Sequence, residues 1–413
     1  MKDFLSKLYP KKLWLRVLYL AIPILVIFAA VSSVVINNAI GSNIGYEPRR
    51  ASVSRPPVRE EPVPQQLPYV NPPHILPYFQ PPLLDPYESN RWDEDVEPDL
   101  RPRSLLTGLP IDEEYLLRRP IAVVINNIRR ALPQSGITSA DIIYEVLSEG
   151  DVTRLVGIYQ SYIPEMIGPV RSARDSFIDF AFNHDAFFVH HGRSPDADAR
   201  LRATRITNLD GMALEGTVFW RDRTYPYWHH NSGQRPLEHS SYTSWQRIST
   251  HIESRDFRDY INDDPAYWFT FGTVPTGAVA GVAEVVIVPF SAPYTRTFVF
   301  DPVAGQYMVQ NTDGMVQDAI TAEQVGVTNI LIQVTTKRVT GTLGQRTVGT
   351  VGEGDGFLVT DGFYQPVRWA KDSHVSPMRW YFADGTPLVL NPGRTWICVF
   401  QNTGTVTFSR LED

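Results

Sequence analysis

The sequence predicts an α+β (α/β) protein: a mixed α/β N-terminal domain at 104–265 and a mainly antiparallel β-rich C-terminal domain at 266–413, preceded by one transmembrane helix. Three observations carry this expectation. Residues 13–36 are almost uninterruptedly apolar, strand-like runs alternate with helix-capping signals from Ile121 to Ile248, and beyond Pro265 the chain turns to Val, Thr and Gly with little helical periodicity. At 413 residues the chain also exceeds what a single core usually organises.

The N-terminal 12 residues form a basic tail, and the 24 residues that follow are broken only by Arg16, Pro23, Ser32 and Ser33. That length spans a bilayer core of about 30 Å. A cleaved secretory signal is the competing reading, because Lys2, Lys7, Lys11, Lys12 and Arg16 make a basic head. Signal cores run only about 7 to 15 residues, so an uncleaved signal anchor is favoured. The basic excess places the tail in the cytoplasm and everything from residue 37 outside it, giving a single-pass protein of the cell membrane. No cysteine follows the apolar segment until Cys398, so no lipid-modified cysteine anchors the chain. Cys398 is also the sole cysteine, which excludes an intrachain disulfide, and its alternation with Trp396 and Phe400 predicts burial.

Formal charge is −7; the first 16 residues carry +4 and the remainder −11, an acidic exterior that argues against a nucleic-acid partner. Residues 37–103 read as a linker, with 14 prolines in the 57 residues from Glu47 to Arg103. Such a chain favours extended polyproline II at about 3.1 Å per residue.

Ile121 to Asn126 reads as the first buried strand, with Pro133-Gln134-Ser135-Gly136 after it as punctuation. Ile142 to Leu147 and Arg154 to Gln160 form a hairpin around Ser148-Glu149-Gly150-Asp151. Ser172-Ala173-Arg174-Asp175 has capping-box spacing, so a helix is expected directly after Arg171, with Phe177, Phe180, Ala181 and His184 on one face. Ala186 to His190 reads as a strand, Ser194-Pro195 as the start of a second helix, Phe219 to Asp222 as a short strand or loop, and Tyr242 to Ile248 as a third helix. Later strands are expected at 283–288, 295–300, 307–310, 329–334, 357–360, 363–369 and 395–400. Gly352-Glu353-Gly354-Asp355-Gly356 lies between strands with no following helix, so it reads as a hairpin turn and not a phosphate loop.

Chemistry concentrates between residues 142 and 174. Glu145, Glu149, Arg154, Arg171, Ser172 and Arg174 are charged or polar groups set among half-buried strands, where they need partners or a ligand to offset desolvation. The expected helix start at Arg171, Ser172 and Arg174 would add backbone N–H groups and the helix dipole to two guanidiniums, a combination suited to an anion. Neutralisation by Asp175, Asp179, Glu145 or Glu149 is the structural alternative. His190 and His191 end a strand and open a helix; on a strand they face opposite sides, so one of them should meet the cluster and the two cannot share a metal. No metal or cofactor motif is present, and His229, His230 and His239 are scattered. Ser135-Gly136 and Ser232-Gly233 lack a nucleophile elbow.

Pro120-Ile121-Ala122-Val123 with Asn126-Asn127, Pro133-Gln134-Ser135-Gly136, Ala140-Asp141-Ile142-Ile143-Tyr144-Glu145, Thr153-Arg154 and, most specific, Gly168-Pro169-Val170-Arg171-Ser172-Ala173-Arg174 form a set of words. Together they resemble the YerB-like family of bacterial extracytoplasmic proteins of unknown function, many of them lipoproteins. Phe219-Trp220-Arg221-Asp222, His239-Ser240-Ser241-Tyr242-Thr243-Ser244, Trp369-Ala370-Lys371 and Asn391-Pro392-Gly393-Arg394-Thr395-Trp396 extend the resemblance to about residues 105–413. It implies two extracytoplasmic domains with a shared polar site in the first, and it supplies no substrate. Many relatives are attached by a lipidated cysteine where this chain has an apolar segment. The family's Pro-His-Asn is replaced around Leu237-Glu238-His239-Ser240, leaving His239 as the partial match.

The expected function is therefore a membrane-anchored envelope protein that holds an anionic cell-wall ligand, or docks on a wall-assembly protein, through Arg154, Arg171, Ser172, Arg174, Glu145, Glu149, His190 and Arg221. The alternative is a hydrolase or transferase acting on an envelope polymer, with Glu145 or Glu149 and His190 or His191 as acid and base.

Overall fold

The computed structural model describes residues 99–223, 235–275, 279–339, 344 and 346–412. The apolar segment at 13–36, the linker as far as residue 98, His229, His230 and Ser232-Gly233 lie outside the described residues. Among those described, no helix is long and apolar enough to cross a membrane.

The first part of the chain builds β1 (Ile121–Asn126), β2 (Ile142–Glu149), β3 (Val152–Tyr159), α1 (Asp175–Phe182), β4 (Phe187–His190), α2 (Pro195–Thr204), β5 (Asn208–Asp210), β6 (Phe219–Arg221), β7 (Ser241–Thr243) and α3 (Trp245–Ser254). The second part adds β8 (Val285–Ser291), β9 (Tyr294–Asp301), β10 (Gln306–Asn311), β11 (Asn329–Thr335), β12 (Gly352–Thr360), β13 (Phe363–Lys371), β14 (Arg379–Phe382), β15 (Thr395–Gln401) and β16 (Thr407–Ser409).

Both parts lie in the compact unit 93–413 and share one 11-stranded sheet, in the order β14-β13-β12-β11-β15-β2-β3-β1-β4-β5 with Gly281–Val282 paired to β13. The seam is β15, which pairs in parallel with β2 on one side (Ile142 opposite Thr395) and with β11 on the other (Asn329 opposite Thr395). The C-terminal part is thus antiparallel in β8, β9, β10 and β16, which belong to a separate six-stranded sheet, and mixed where it joins the main one.

Continuous apolar runs such as IAVVIN form central strands because both faces of the main sheet are covered. Ala122, Val124, Ile142 and Tyr144 pack with Phe177, Phe180 and Ala181 of α1, and the Tyr144 and Phe180 rings stack with centroids 4.5 Å apart. Val123, Ile125, Ile143 and Leu147 face the other way, into a core with Val286, Phe298, Tyr307 and Val309 of the six-stranded sheet and Ile248 of α3. Cys398 is buried in that core.

Three local expectations are corrected. α1 starts at Asp175, because residues 168–173 are bound in extended form and the Ser172 hydroxyl donates to the His191 carbonyl instead of capping the helix. Tyr242 lies in β7, and the third helix begins at Trp245 after Ser244, whose side chain accepts from the Arg247 N–H. Gly352 to Gly356 form the first half of β12, not a turn; Gly354 and Gly356 lie against Trp369 and the Ile332 carbonyl, where side chains would not fit.

Candidate functional site

Strands β1, β2, β4, β5, β11 and β15 all run in the same direction, so Asn126, Glu149, His190 and Asp210 end on one rim of the sheet. The antiparallel β3 brings Arg154 to the same rim, opposite Asn126. Loops beyond the carboxyl ends of parallel strands are where open α/β sheets place their ligands.

Residues 167–173 cross this rim as a pseudo-strand. Asn126 N–H donates to the Pro169 carbonyl at 2.8 Å, Val170 N–H to Ser241 at 2.7 Å, Arg171 N–H to Val124 at 2.8 Å and Ala173 N–H to Gly192 at 2.9 Å. Gly168 has φ +151°, and a Cβ there would lie 2.8 Å from the Ser241 carbonyl oxygen. The backbone of the Gly-Pro-Val-Arg-Ser-Ala-Arg word is therefore fixed on both sides before its side chains are considered.

Arg154, buried on β3, donates through Nη2 to Glu149 Oε1 and through Nη1 to the Ser172 carbonyl at 2.5 Å. Arg174 Nε donates to Glu149 Oε2 at 2.8 Å. Arg171 donates from Nη1 to the backbone carbonyl of Glu238 at 2.8 Å, and among the described residues no carboxylate lies within ion-pair distance of it. Two guanidiniums, those of Arg154 and Arg174, thus share the single carboxylate of Glu149, with Arg171 bonded to a backbone carbonyl beside them. Burial, then the adjacent Arg174, opposed by Glu149, and then Arg171, lower the proton affinity of Arg154. The charge here is incompletely compensated.

The adjoining group centres on His191, whose side chain meets Arg221, Ser241 and Glu215 rather than Glu149 or its arginines. Arg221 Nη2, which can only donate, is 2.8 Å from His191 Nε2, so Nδ1 carries the ring proton and donates to Ser241 Oγ at 2.7 Å. Arg221 also holds Glu215 at 3.0 Å and the Leu237 carbonyl at 2.7 Å. Burial and then Arg221 lower the His191 pKa, keeping the ring neutral. His190 is corrected out of the cluster: it is fully buried on the other side of the strand, with Nδ1 at 2.9 Å from the Gly192 carbonyl and Nε2 at 3.2 Å from Asn208 Oδ1.

His239 belongs to the rim. Asn126 Nδ2 donates to its Nδ1 at 2.9 Å, and burial, followed by Arg171, pushes its pKa down to about 4. Sequence spacing concealed this contact, as it did Ser241, Glu215 and Glu238, because the returning chain at 235–241 reaches the end of β1 from more than 100 residues away. The only signal was the His239 to Ser244 word itself.

Glu145 is not part of this rim. Its side chain faces the six-stranded sheet, where Arg296 of β9 holds it through two bonds of 2.8 and 3.0 Å, with Thr153 at 2.9 Å and Asn127 at 3.2 Å. It borders a cleft of about 220 Å³ between the 127–132 segment and β9. The two glutamates therefore lie on opposite faces of the sheet, each engaged by guanidinium groups, and neither is within hydrogen-bond distance of a described histidine. Among the described residues no group of three His, Cys, Asp or Glu side chains is arranged to hold a metal ion.

Comparison with known proteins fits this architecture. Residues 106–258 match the N-terminal domain of "Protein of unknown function (DUF3048)" and residues 286–397 its C-terminal domain. A Bacillus subtilis (strain 168) protein named "Putative lipoprotein YerB" is 31% identical over 326 residues, covering 77% of this chain and 92% of that protein. The crystal structure of the YerB protein from Bacillus subtilis superposes with a TM-score of 0.65 at 28% identity, covering 75% of this chain and all of that one. With both domain profiles matched in order and the relative aligned over most of its length, the chain belongs to the YerB-like DUF3048 family, whose function is unknown.

Proposed function

We propose that this chain is a membrane-anchored, extracytoplasmic envelope protein that binds an anionic cell-wall ligand, or the acidic face of a wall-assembly partner, through Arg171, Arg174, Arg154 and Arg221. The observation that carries the reading is the charge imbalance on the rim: Glu149 alone serves Arg154 and Arg174, while Arg171 is bonded to a backbone carbonyl. A carboxylate or phosphate placed beside Arg171 would gain charge-assisted bonds without displacing an existing ion pair. The lipoprotein name of the Bacillus relative supports an envelope location. This chain has no cysteine ahead of Cys398, so the apolar segment at 13–36 takes over attachment, with residues 1–12 in the cytoplasm.

The test is calorimetric titration of the full-length protein with polyglycerol phosphate and with muropeptides at several salt concentrations. Binding is expected to weaken with ionic strength and to fall by about tenfold or more in Arg171→Ala/Arg174→Ala. Glu149→Gln, which removes the competing carboxylate, should strengthen it. Unchanged affinity in the double variant, with native circular dichroism, overturns the assignment.

A further inference from the structure

A second polar group lies away from the arginine rim, behind α1. Lys371 is buried on β13, with its ammonium bonded to Asn183 Oδ1 at 2.7 Å and to the Ser376 carbonyl. Because lysine only donates, Asn183 turns its Nδ2 to the Tyr144 hydroxyl oxygen at 3.3 Å. With Asn183 donating to its oxygen, Tyr144 gives its single hydrogen to His184 Nε2, 2.8 Å away, in the arrangement that leaves no hydroxyl hydrogen unpaired. The relay leaves the proton of neutral His184 on Nδ1, a buried donor with no partner. Burial, then Lys371, pushes the His184 pKa down to about 3, so the ring stays neutral.

An unsatisfied buried N–H is costly to leave unpaired, and His184 borders a void of about 20 Å³, enough for one oxygen atom or water. The void shares Trp268, Phe269, Met378 and Trp380 with a half-open groove of about 200 Å³ that continues past Tyr381. Void and groove thus combine aromatic lining with a buried hydrogen-bond donor that has no partner, a common composition of a small-ligand site.

We infer that this groove is a second binding site, taking an N-acetylhexosamine unit of a neutral glycan, its pyranose ring beside the half-buried Trp268 and Tyr381 and its acetamido oxygen on His184 Nδ1. Three features select that chemistry. The groove is lined by Trp268, Phe269 and Tyr381, which favour a ligand with an apolar face. The base offers the unpartnered His184 donor, and a carbonyl oxygen accepts without bringing a hydrogen of its own. An anion is disfavoured, because Lys371 is already bonded behind the relay and Arg379 is paired with Asp372 at 2.6 Å. The inference does not rest on the arginine rim.

The test titrates the full-length protein with triacetylchitotriose, and with cellotriose as the sugar lacking acetamido groups, following tryptophan emission and heat. Saturable binding of triacetylchitotriose is expected, stronger than that of cellotriose. It should weaken by about tenfold in Trp268→Ala and again in Tyr381→Ala on the rim, and persist in Arg171→Ala/Arg174→Ala. His184→Phe should erase the preference for the acetylated sugar. No saturation at millimolar sugar, equal affinity for both sugars, tighter binding of a proline-rich peptide, or undiminished binding in both aromatic variants with native circular dichroism overturns the proposal.

Discussion

Replacing Arg296 by methionine should destabilise the protein by about 3–5 kcal/mol, the cost of leaving one member of a buried ion pair alone. The structure gives the terms. Glu145 and Arg296 are nearly fully buried, and the substitution removes the 2.8 and 3.0 Å bonds while keeping those from Thr153 and Asn127. Two charge-assisted bonds at about 1.5–3 kcal/mol each sum to about 3–6 kcal/mol, which overlaps that range. Methionine retains much of the contact that Arg296 makes with the Trp396 ring, 5.0 Å from its centroid, so packing loss should be small. Urea unfolding monitored by tryptophan fluorescence measures the change. The double variant Glu145→Gln/Arg296→Met should recover about 1–3 kcal/mol relative to the sum of the single variants. A loss below about 1 kcal/mol, or strict additivity, would refute the reasoning and return Glu145 to consideration as a chemically active acid.

Two further outcomes follow from the same structure. Gly168→Ala should cost about 1–3 kcal/mol and weaken anion binding, since the new methyl meets the Ser241 carbonyl and displaces Arg171; unaltered stability and affinity would contradict the fixed rim backbone. Lys371 has its pKa lowered from 10.5 to about 8, with burial the main cause and Asp179 opposing it. Its protonation therefore favours the unfolded chain, and stability should rise by about 3 kcal/mol as pH climbs from 8 through 10.5. Subtracting the profile of Lys371→Met isolates this rise from the opposing ionisation of buried tyrosines, and a flat difference would show that the ammonium is not desolvated.

The strands were legible wherever one face or both are buried, because apolar alternation or continuity is a local signal: β1, β2 and β3 stand close to their expected limits. The start of α1 was not. Ser172 has the right neighbours for a cap, yet the N–H groups of Arg171 and Ala173 on either side of it donate to Val124 and Gly192, and such long-range competition has no local trace. The site was legible as a list of arginines and as a position in the chain. Its pairing was hidden, since Glu145 meets Arg296 from 151 residues away and the β2–β3 hairpin puts Glu145 and Arg154 on opposite faces. For His190 and His191, alternation along the strand established that they diverge, while the choice between them depended on where Arg221 and Ser241 arrive.

The placement of β15 has a consequence for synthesis. It is made some 250 residues after β2, yet it sits between β2 and β11 in the middle of the sheet. Until residue 395 is available, β2 has an open edge and the Glu145 layer lacks its Trp396 wall, so the early half of the chain has no stable resting state of its own. Closing that gap carries the loop entropy of some 250 residues, a long-range pairing of the kind that slows folding. A chain cut short before Thr395 should lose the arginine rim as well as its own missing strand, and present the edge of β2 to proteases and to other copies.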